Sequence, residues 1–235
     1  MKFKHDLVEL FDLKTVTANG KRFYVTPDGN RYPSVTTITG LLSKEAIQAW
    51  RKRVGEAEAN KITRAATNRG NKVHKLAEMY LSNKPTTAEE KTPLIEHMFE
   101  QLIEVLDDNV GTIKAIEAPL YSNSLKVGGR VDLVAEWDGT LSVIDFKTSA
   151  KLKKEQWIDG YFMQSAAYAV MFEERTQIPI SQIVIAIAVE HNYPQVFIRQ
   201  RDDFIEQFEK LRKTFDYEII NEKDITHMQR GLFDG

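Results

Sequence analysis

Apolar and polar residues alternate in strand fashion over the first 40 positions. Pro27-Asp28-Gly29-Asn30 forms a turn between the runs Arg22–Thr26 and Arg31–Thr39. From Ser43, an N-cap residue by type, the spacing turns helical and continues to about Asn68, with a break at Gly55. Gly70 punctuates the pattern, and a further helix runs to about Leu81 with its apolar stripe at Val73, Leu76, Ala77 and Tyr80. After a polar loop holding Pro85, a third helix places Leu94, Ile95, Met98, Phe99, Leu102, Ile103 and Leu106 at helical spacing. Strands then dominate, at about Ile113–Tyr121, Lys126–Trp137 and Leu141–Lys147. A helix over about Gln156–Arg175, a buried strand at Ile183–Val189, a strand at Gln195–Arg199 and a charged amphipathic helix from Asp202 complete the chain. Helices ahead of a small sheet, with one helix inserted and one following, predict an α/β or α+β fold. No repeat, low-complexity tract or linker divides the 235 residues, so one domain is expected over 1–235, helical at about 43–110 and sheet-and-helix at about 111–200.

Composition narrows the setting. Hydrophobic residues at 42% and charged residues at 28% suit a folded globular chain, and no apolar run reaches the length of a membrane span. There is no cysteine, which excludes disulfides, thiolate zinc sites and cysteine-held iron–sulfur clusters and suits a reducing compartment. Met1–Leu10 mixes Lys, His, Asp and Glu and carries no secretory apolar stretch, so an intracellular protein is expected. The net charge of −2 does not point to nucleic acid, but its distribution is uneven. Residues 44–75 hold nine Lys/Arg against three Glu, and residues 86–110 hold seven acids against one Lys. A basic surface facing phosphate and an acidic back fit this pattern, as do two solvated helical faces.

The candidate chemistry lies in Gly128-Gly129-Arg130-Val131-Asp132, Asp138-Gly139 and Val143-Ile144-Asp145-Phe146-Lys147. Asp-Gly between two apolar-rich runs predicts a two-residue hairpin, which pairs Trp137 with Thr140 and sets Asp132 directly opposite Asp145. Lys147 then shares their face at i+2. A three-residue loop with a bulge at Gly139 slips the register by one and still leaves the three residues close. Like charges across a ladder, with Cβ atoms roughly 5 Å apart, are destabilising without a counter-ion. A divalent cation such as Mg²⁺ or Mn²⁺ supplies one and suits phosphodiester hydrolysis, with Lys147 positioning water beside it. The plainer reading leaves Asp132 in a salt bridge with Arg130 or Lys147. Two helical pairs extend the set. His74 and Glu78 are i, i+4, either a metal ligand or a solvated pair; Gln164 and Tyr168 are i, i+4, which in isolation reads as a half-buried amphipathic edge.

In combination these segments resemble a known family. Gly-Gly-x-x-Asp, a strand ending Asp-x-Lys, and Gln-x-x-x-Tyr on the next helix are similar to the RecB branch of the PD-(D/E)XK nuclease superfamily. Pro33-Ser34-Val35-Thr36-Thr37-Ile38, Trp50 and Arg69-Gly70-Asn71-Lys72-Val73-His74 with Glu78 resemble its group of mitochondrial genome maintenance and phage-encoded exonucleases. The resemblance covers about residues 31–168. It implies a restriction-endonuclease-like core, a mixed central sheet flanked by helices and preceded by a helical region. It implies metal ligation by His74, Asp132 and Asp145, with the Phe146 carbonyl and Glu78 as further candidates, and catalysis by Asp132, Asp145 and Lys147 with Gln164 and Tyr168 positioning DNA or the catalytic strand. Ser34, Thr36, Arg69 and Arg130 are the implied nucleic-acid contacts. The expected partner is DNA, single-stranded or at its ends, with no membrane partner and no iron–sulfur cluster, in a bacterial cytoplasm or a phage context. A structure-specific endonuclease and a non-catalytic nucleic-acid-binding module are the alternatives. End polarity and the DNA–RNA choice stay open.

Overall fold

A computed structural model describes residues 2–87 and 91–233, with residues 218 and 220–233 described by backbone alone. Glu89 and Glu90 of the acidic stretch lie outside the described residues. The chain opens with a three-stranded antiparallel sheet, β1 (Lys14–Ala18), β2 (Lys21–Val25) and β3 (Arg31–Pro33). Five helices and five strands build the body: α2 (Lys44–Val54), α3 (Glu56–Leu81), α4 (Pro93–Asn109), β4 (Val110–Ser122), β5 (Val127–Trp137), β6 (Thr140–Ser149), α5 (Asp159–Thr176), β7 (Gln182–Val189), β8 (Gln195–Gln200) and α6 (Asp202–Phe233). A short helix, α1 (Val35–Thr39), joins the two parts. The second sheet is mixed, in the order β4-β5-β6-β7-β8, and its β6–β7 pair is parallel because α5 carries the chain across between them. Among the described residues no helix is long and apolar enough to cross a membrane.

Helices cover both faces of this sheet. Val143, Ile183, Ile185 and Ile187 pack with Phe162, Ala166 and Phe172 of α5 and with Phe208 of α6. Leu133, Ile144, Val184 and Ala186 pack on the other side with Val73 and Leu76 of α3 and Met98 and Leu102 of α4. A strand buried from both faces reads as a continuous apolar run, which is why Ile183–Val189 lacks alternation. α5 is buried nearly all round, held between the sheet, α1 and α6.

The β5–β6 hairpin follows its turn chemistry. Asp138 and Gly139 have φ of 50° and 76°, the left-handed pair of a two-residue turn, and the register runs from Trp137 with Thr140 to Leu133 with Ile144. Three local expectations are corrected. The run Arg31–Thr39 is not one strand: it stops at Pro33, and Ser34 caps α1 by accepting the Thr37 N–H at 3.0 Å. Gly70 does not interrupt α3, because the cost of one helical glycine is outweighed by the buried stripe of Val73, Leu76 and Ala77 that follows it. Ser43 stands at the start of α2, but its hydroxyl donates to the Gly40 carbonyl at 3.4 Å and does not cap the helix. Gly55, at φ 85°, does break the pattern and turns the chain from α2 into α3. The resulting arm is almost wholly solvated: between residues 44 and 68 only Ala59 is buried.

The small sheet meets the large one at Gly128, where a Cβ would lie 2.5 Å from the Cβ of Tyr24. Gly128→Ala is therefore expected to lower stability by about 1–3 kcal/mol, read from the midpoint of chemical denaturation. An unchanged midpoint would show that the two sheets can separate without cost.

Candidate active site

The β5–β6 ladder ends one pair short of the two aspartates. Beyond Leu133 and Ile144 the backbone pairing gives way to a side chain, and Asp132 Oδ2 accepts the Phe146 N–H at 2.8 Å. The strands part there, and helices from both layers reach in. From α3, His74 brings Nδ1 to 3.5 Å from Asp132 Oδ1 while its ring stands edge-on to Phe146. From α5, Gln164 donates to Asp145 Oδ1 at 2.7 Å. Lys147 pairs with Asp145 Oδ2, and its ammonium lies 5.1 Å from the ring centroid of Tyr161.

Burial dominates the electrostatics. Asp145 is 1% exposed, and desolvation pushes its carboxyl up to about 6 although the Lys147 ammonium works the other way. For Asp132 desolvation is outweighed by His74, by Lys147 and by the Phe146 N–H, which hold it below the ordinary aspartate value. Burial also opposes charge on His74 and on Lys147, yet Asp132 lifts the imidazole and Asp145 with Asp132 lifts the ammonium above their usual values. Burial, joined by the charges of Asp145 and Asp132, raises the Tyr168 hydroxyl far above an ordinary phenol. These charges are mutually dependent: each cation is held by the acid beside it.

One participant has no counterpart in the sequence analysis. Glu117 of β4 falls opposite Asp132, between the pairs Ile116–Leu133 and Ala118–Val131. Its backbone takes φ 45°, in the left-handed region that a glutamate seldom visits. Burial, then the charge of Asp132, pushes its carboxyl up to about 7. Ligand atoms of His74, Glu117 and Asp132 lie within 4.8 Å of one another. One imidazole and two carboxylates, with Asp145 on the next strand, make a donor set suited to a hard divalent cation. A link from β4 to β5 through residues 123–126 has no two-residue turn from which the register could be read, so only the polar residue inside an apolar strand was there to mark Glu117.

The other candidates fall into two groups. Glu78 lines the same groove as His74, Glu117, Arg130 and Asp132, and Lys75 donates to it at 2.9 Å. Arg130 donates to the Glu117 carbonyl, bracing the backbone where it turns left-handed. Tyr168 backs the cluster: a Cβ on Gly129 would lie 2.5 Å from its Cε1, so the second glycine of the pair allows α5 to approach β5. Phe146 contributes its N–H to Asp132 and its ring to the core. Ser34 is buried in the α1 cap, and Thr36 is exposed beside it. Arg69 is paired with Glu190 and reaches the Thr148 hydroxyl at 3.4 Å.

A family model described as the PD-(D/E)XK nuclease superfamily matches residues 42–234. Mitochondrial genome maintenance exonuclease 1 of Homo sapiens is 29% identical over 132 residues, covering 53% of this chain and 38% of that protein. Its Mus musculus counterpart is 32% identical over 133 residues, covering 53% and 39%. This chain thus spans well under half the length of the curated relatives it matches. A candidate exonuclease from Eubacterium rectale, solved by crystallography, is similar at a TM-score of 0.44 and 13% identity, with 66% of this chain and 68% of that one covered.

Removing the Asp132 charge while keeping its shape tests the coupling within the site. In Asp132→Asn the imidazole of His74 keeps the burial and the Lys147 charge that oppose its protonation and loses its main support. Its pKa is expected to fall below the ordinary histidine value, followed by NMR titration of the ring in metal-free buffer. A titration that stays where it is in the wild type would show that Asp132 does not control His74.

Proposed function

Because this chain belongs to the PD-(D/E)XK nuclease superfamily, we propose that it is a metal-dependent exonuclease hydrolysing phosphodiester bonds of DNA, with preference for single strands or ends. The observation that carries this reading is the convergence of His74, Asp132, Asp145 and Lys147 from α3, β5 and β6 at one break in the sheet. In this reading His74, Asp132 and Asp145 hold Mg²⁺ or Mn²⁺, with Glu117, Glu78 and the Phe146 carbonyl as further donors. A divalent cation there neutralises the phosphoryl oxygens and acidifies water. The protein's own share follows from its contacts. Lys147, fixed by Asp145 and Tyr161, would offer its ammonium to the phosphate oxygens that gain negative charge as the bond breaks. Gln164 fixes the other oxygen of Asp145, and Tyr168 sets how closely α5 approaches β5. Arg130, which lines the groove, and the exposed Thr36 are assigned to DNA phosphates, with Arg69, half-buried and paired with Glu190, as a further candidate; Ser34, buried in the α1 cap, is not open to such a contact.

The solvated arm of α2 and the first half of α3 supports action on ends. It carries Lys52, Arg53, Lys61 and Arg64 on exposed or half-exposed positions, a basic surface for a strand threaded past the groove. The relatives named as exonucleases favour the same reading. The setting we assign is replication, recombination or degradation of DNA in a bacterium or a phage-infected cell, as a cysteine-free chain suits a reducing compartment.

End-labelled linear strands, duplexes and circular single strands, each incubated with Mg²⁺, Mn²⁺ or EDTA, test this function. Linear strands are expected to be lost with either metal and spared by EDTA, and Asp145→Ala and Lys147→Ala to slow the loss by at least about a hundredfold. Circles degraded as fast as linear strands would make the enzyme an endonuclease. Binding without cleavage under every condition would leave a DNA-binding module.

A further inference from the structure

The segment between β6 and α5 presents an aromatic ring to solvent from a firmly held backbone. Trp157 ends the 3₁₀ turn Glu155–Trp157 and is 63% exposed, whereas Trp137 is 1% exposed. The turn is secured on both sides. The Ser149 hydroxyl donates to the Lys151 carbonyl at 2.6 Å, and Gln195 grips Lys153 twice, accepting its N–H at 2.7 Å and donating to its carbonyl at 3.0 Å. Glu155 is paired with Arg199, and Ile158 is buried in the core. Little backbone entropy therefore remains to be lost when the indole meets a ligand.

Two features indicate what that ligand is. Lys154 lies 5.2 Å from the Trp157 ring centroid, and Lys151 and Lys154 are both exposed. An exposed indole with the Lys154 ammonium over its ring combines base stacking with phosphate attraction, the two forces that hold single-stranded nucleic acid. The second feature is position. Tyr161, whose ring lies 5.1 Å from the Lys147 ammonium, follows four residues later, so its Cα is within about 14 Å of that of Trp157. At the foot of the basic arm, Leu42 approaches Gly160 so closely that a Cβ there would lie 3.3 Å from Leu42 Cδ1. Trp157 thus lies within a short reach of chain from both Tyr161, which faces Lys147, and Gly160, which meets Leu42 at the foot of the arm. Within a duplex the base faces are stacked on one another, whereas a single strand can offer one along its length.

We infer that Trp157, with the Lys154 ammonium over its ring, is a stacking platform for a base of single-stranded DNA close to the nucleotide being cut. This rests on the reading of the site as DNA-cleaving and names a residue that specifies the single strand.

Fluorescence anisotropy with labelled oligothymidylate, and with an abasic strand of equal length, tests it in an Asp145→Asn background with Mg²⁺ present. Trp157→Ala is expected to weaken oligothymidylate binding about tenfold to a hundredfold, and Trp157→Phe to recover most of the loss. The abasic strand, having no base to stack, is expected to bind all three proteins alike. Its exposed position means that Trp157→Ala should melt at the same temperature as the parent, which excludes loss of folding as the cause. A change under twofold for oligothymidylate overturns the platform, and so does an equal loss for the abasic strand. The function itself is judged separately, by cleavage in the protein with Asp145 intact. Active cleavage with no effect of Trp157→Ala on binding removes the platform alone, and absence of both binding and cleavage removes both.

Discussion

Where the β5–β6 ladder stops, Glu117, Asp132 and Asp145 come together from three neighbouring strands with much of their water removed. Acids so arranged repel one another and lose hydration, a cost that leaves Glu117 and Asp145 far less acidic than free carboxylates. The neighbouring groups oppose that cost. His74 and the Phe146 N–H support Asp132, and Lys147 and Gln164 support Asp145. Neither helical layer is dispensable on this account, since α3 brings the imidazole and α5 brings the amide. A sheet covered on one face only would leave Asp132 without His74 or Asp145 without Gln164.

Close approach is the second requirement, and adjacent glycines meet it in different directions. Gly128 admits Tyr24 from the small N-terminal sheet, and Gly129 admits Tyr168 from α5. Both contacts fall on β5 within four residues of Asp132, so the strand carrying that acid is held from two sides. Arg130, between them and Asp132, donates to the carbonyl of Glu117 and steadies the left-handed turn of β4. The Gly-Gly-x-x-Asp segment is thus a packing device as much as a chemical one.

Much of this was legible in the residues. The Asp138-Gly139 turn set the hairpin register, since both positions require a left-handed backbone and two-residue turns tolerate little else. Asp145, Lys147, Gln164 and Asp132 were all identified, and the structure brings them together with His74. Local pattern failed where two signals competed. Val35-Thr36-Thr37-Ile38 has strand propensity, but the Ser34 cap turns it into a helix; Gly70 has the look of a break, but the packing of α3 carries the helix through it. Ser34 and Arg69 likewise show no hint in the sequence that one caps α1 and the other pairs with Glu190 far along the chain.

The sequence by itself therefore determined most of the elements, the hairpin register and the closeness of Asp132, Asp145 and Lys147, because periodicity and turn chemistry act over a few residues. Only the tertiary structure decided that Glu117 joins them, that Asp132 meets α3 while Asp145 meets α5, and that Trp157 stands exposed on a pinned turn ahead of α5. Those outcomes depend on the β4–β5 register across a four-residue link and on helices packed from both sides. They are sums of many weak contacts between distant segments, and no short stretch of chain carries such a sum.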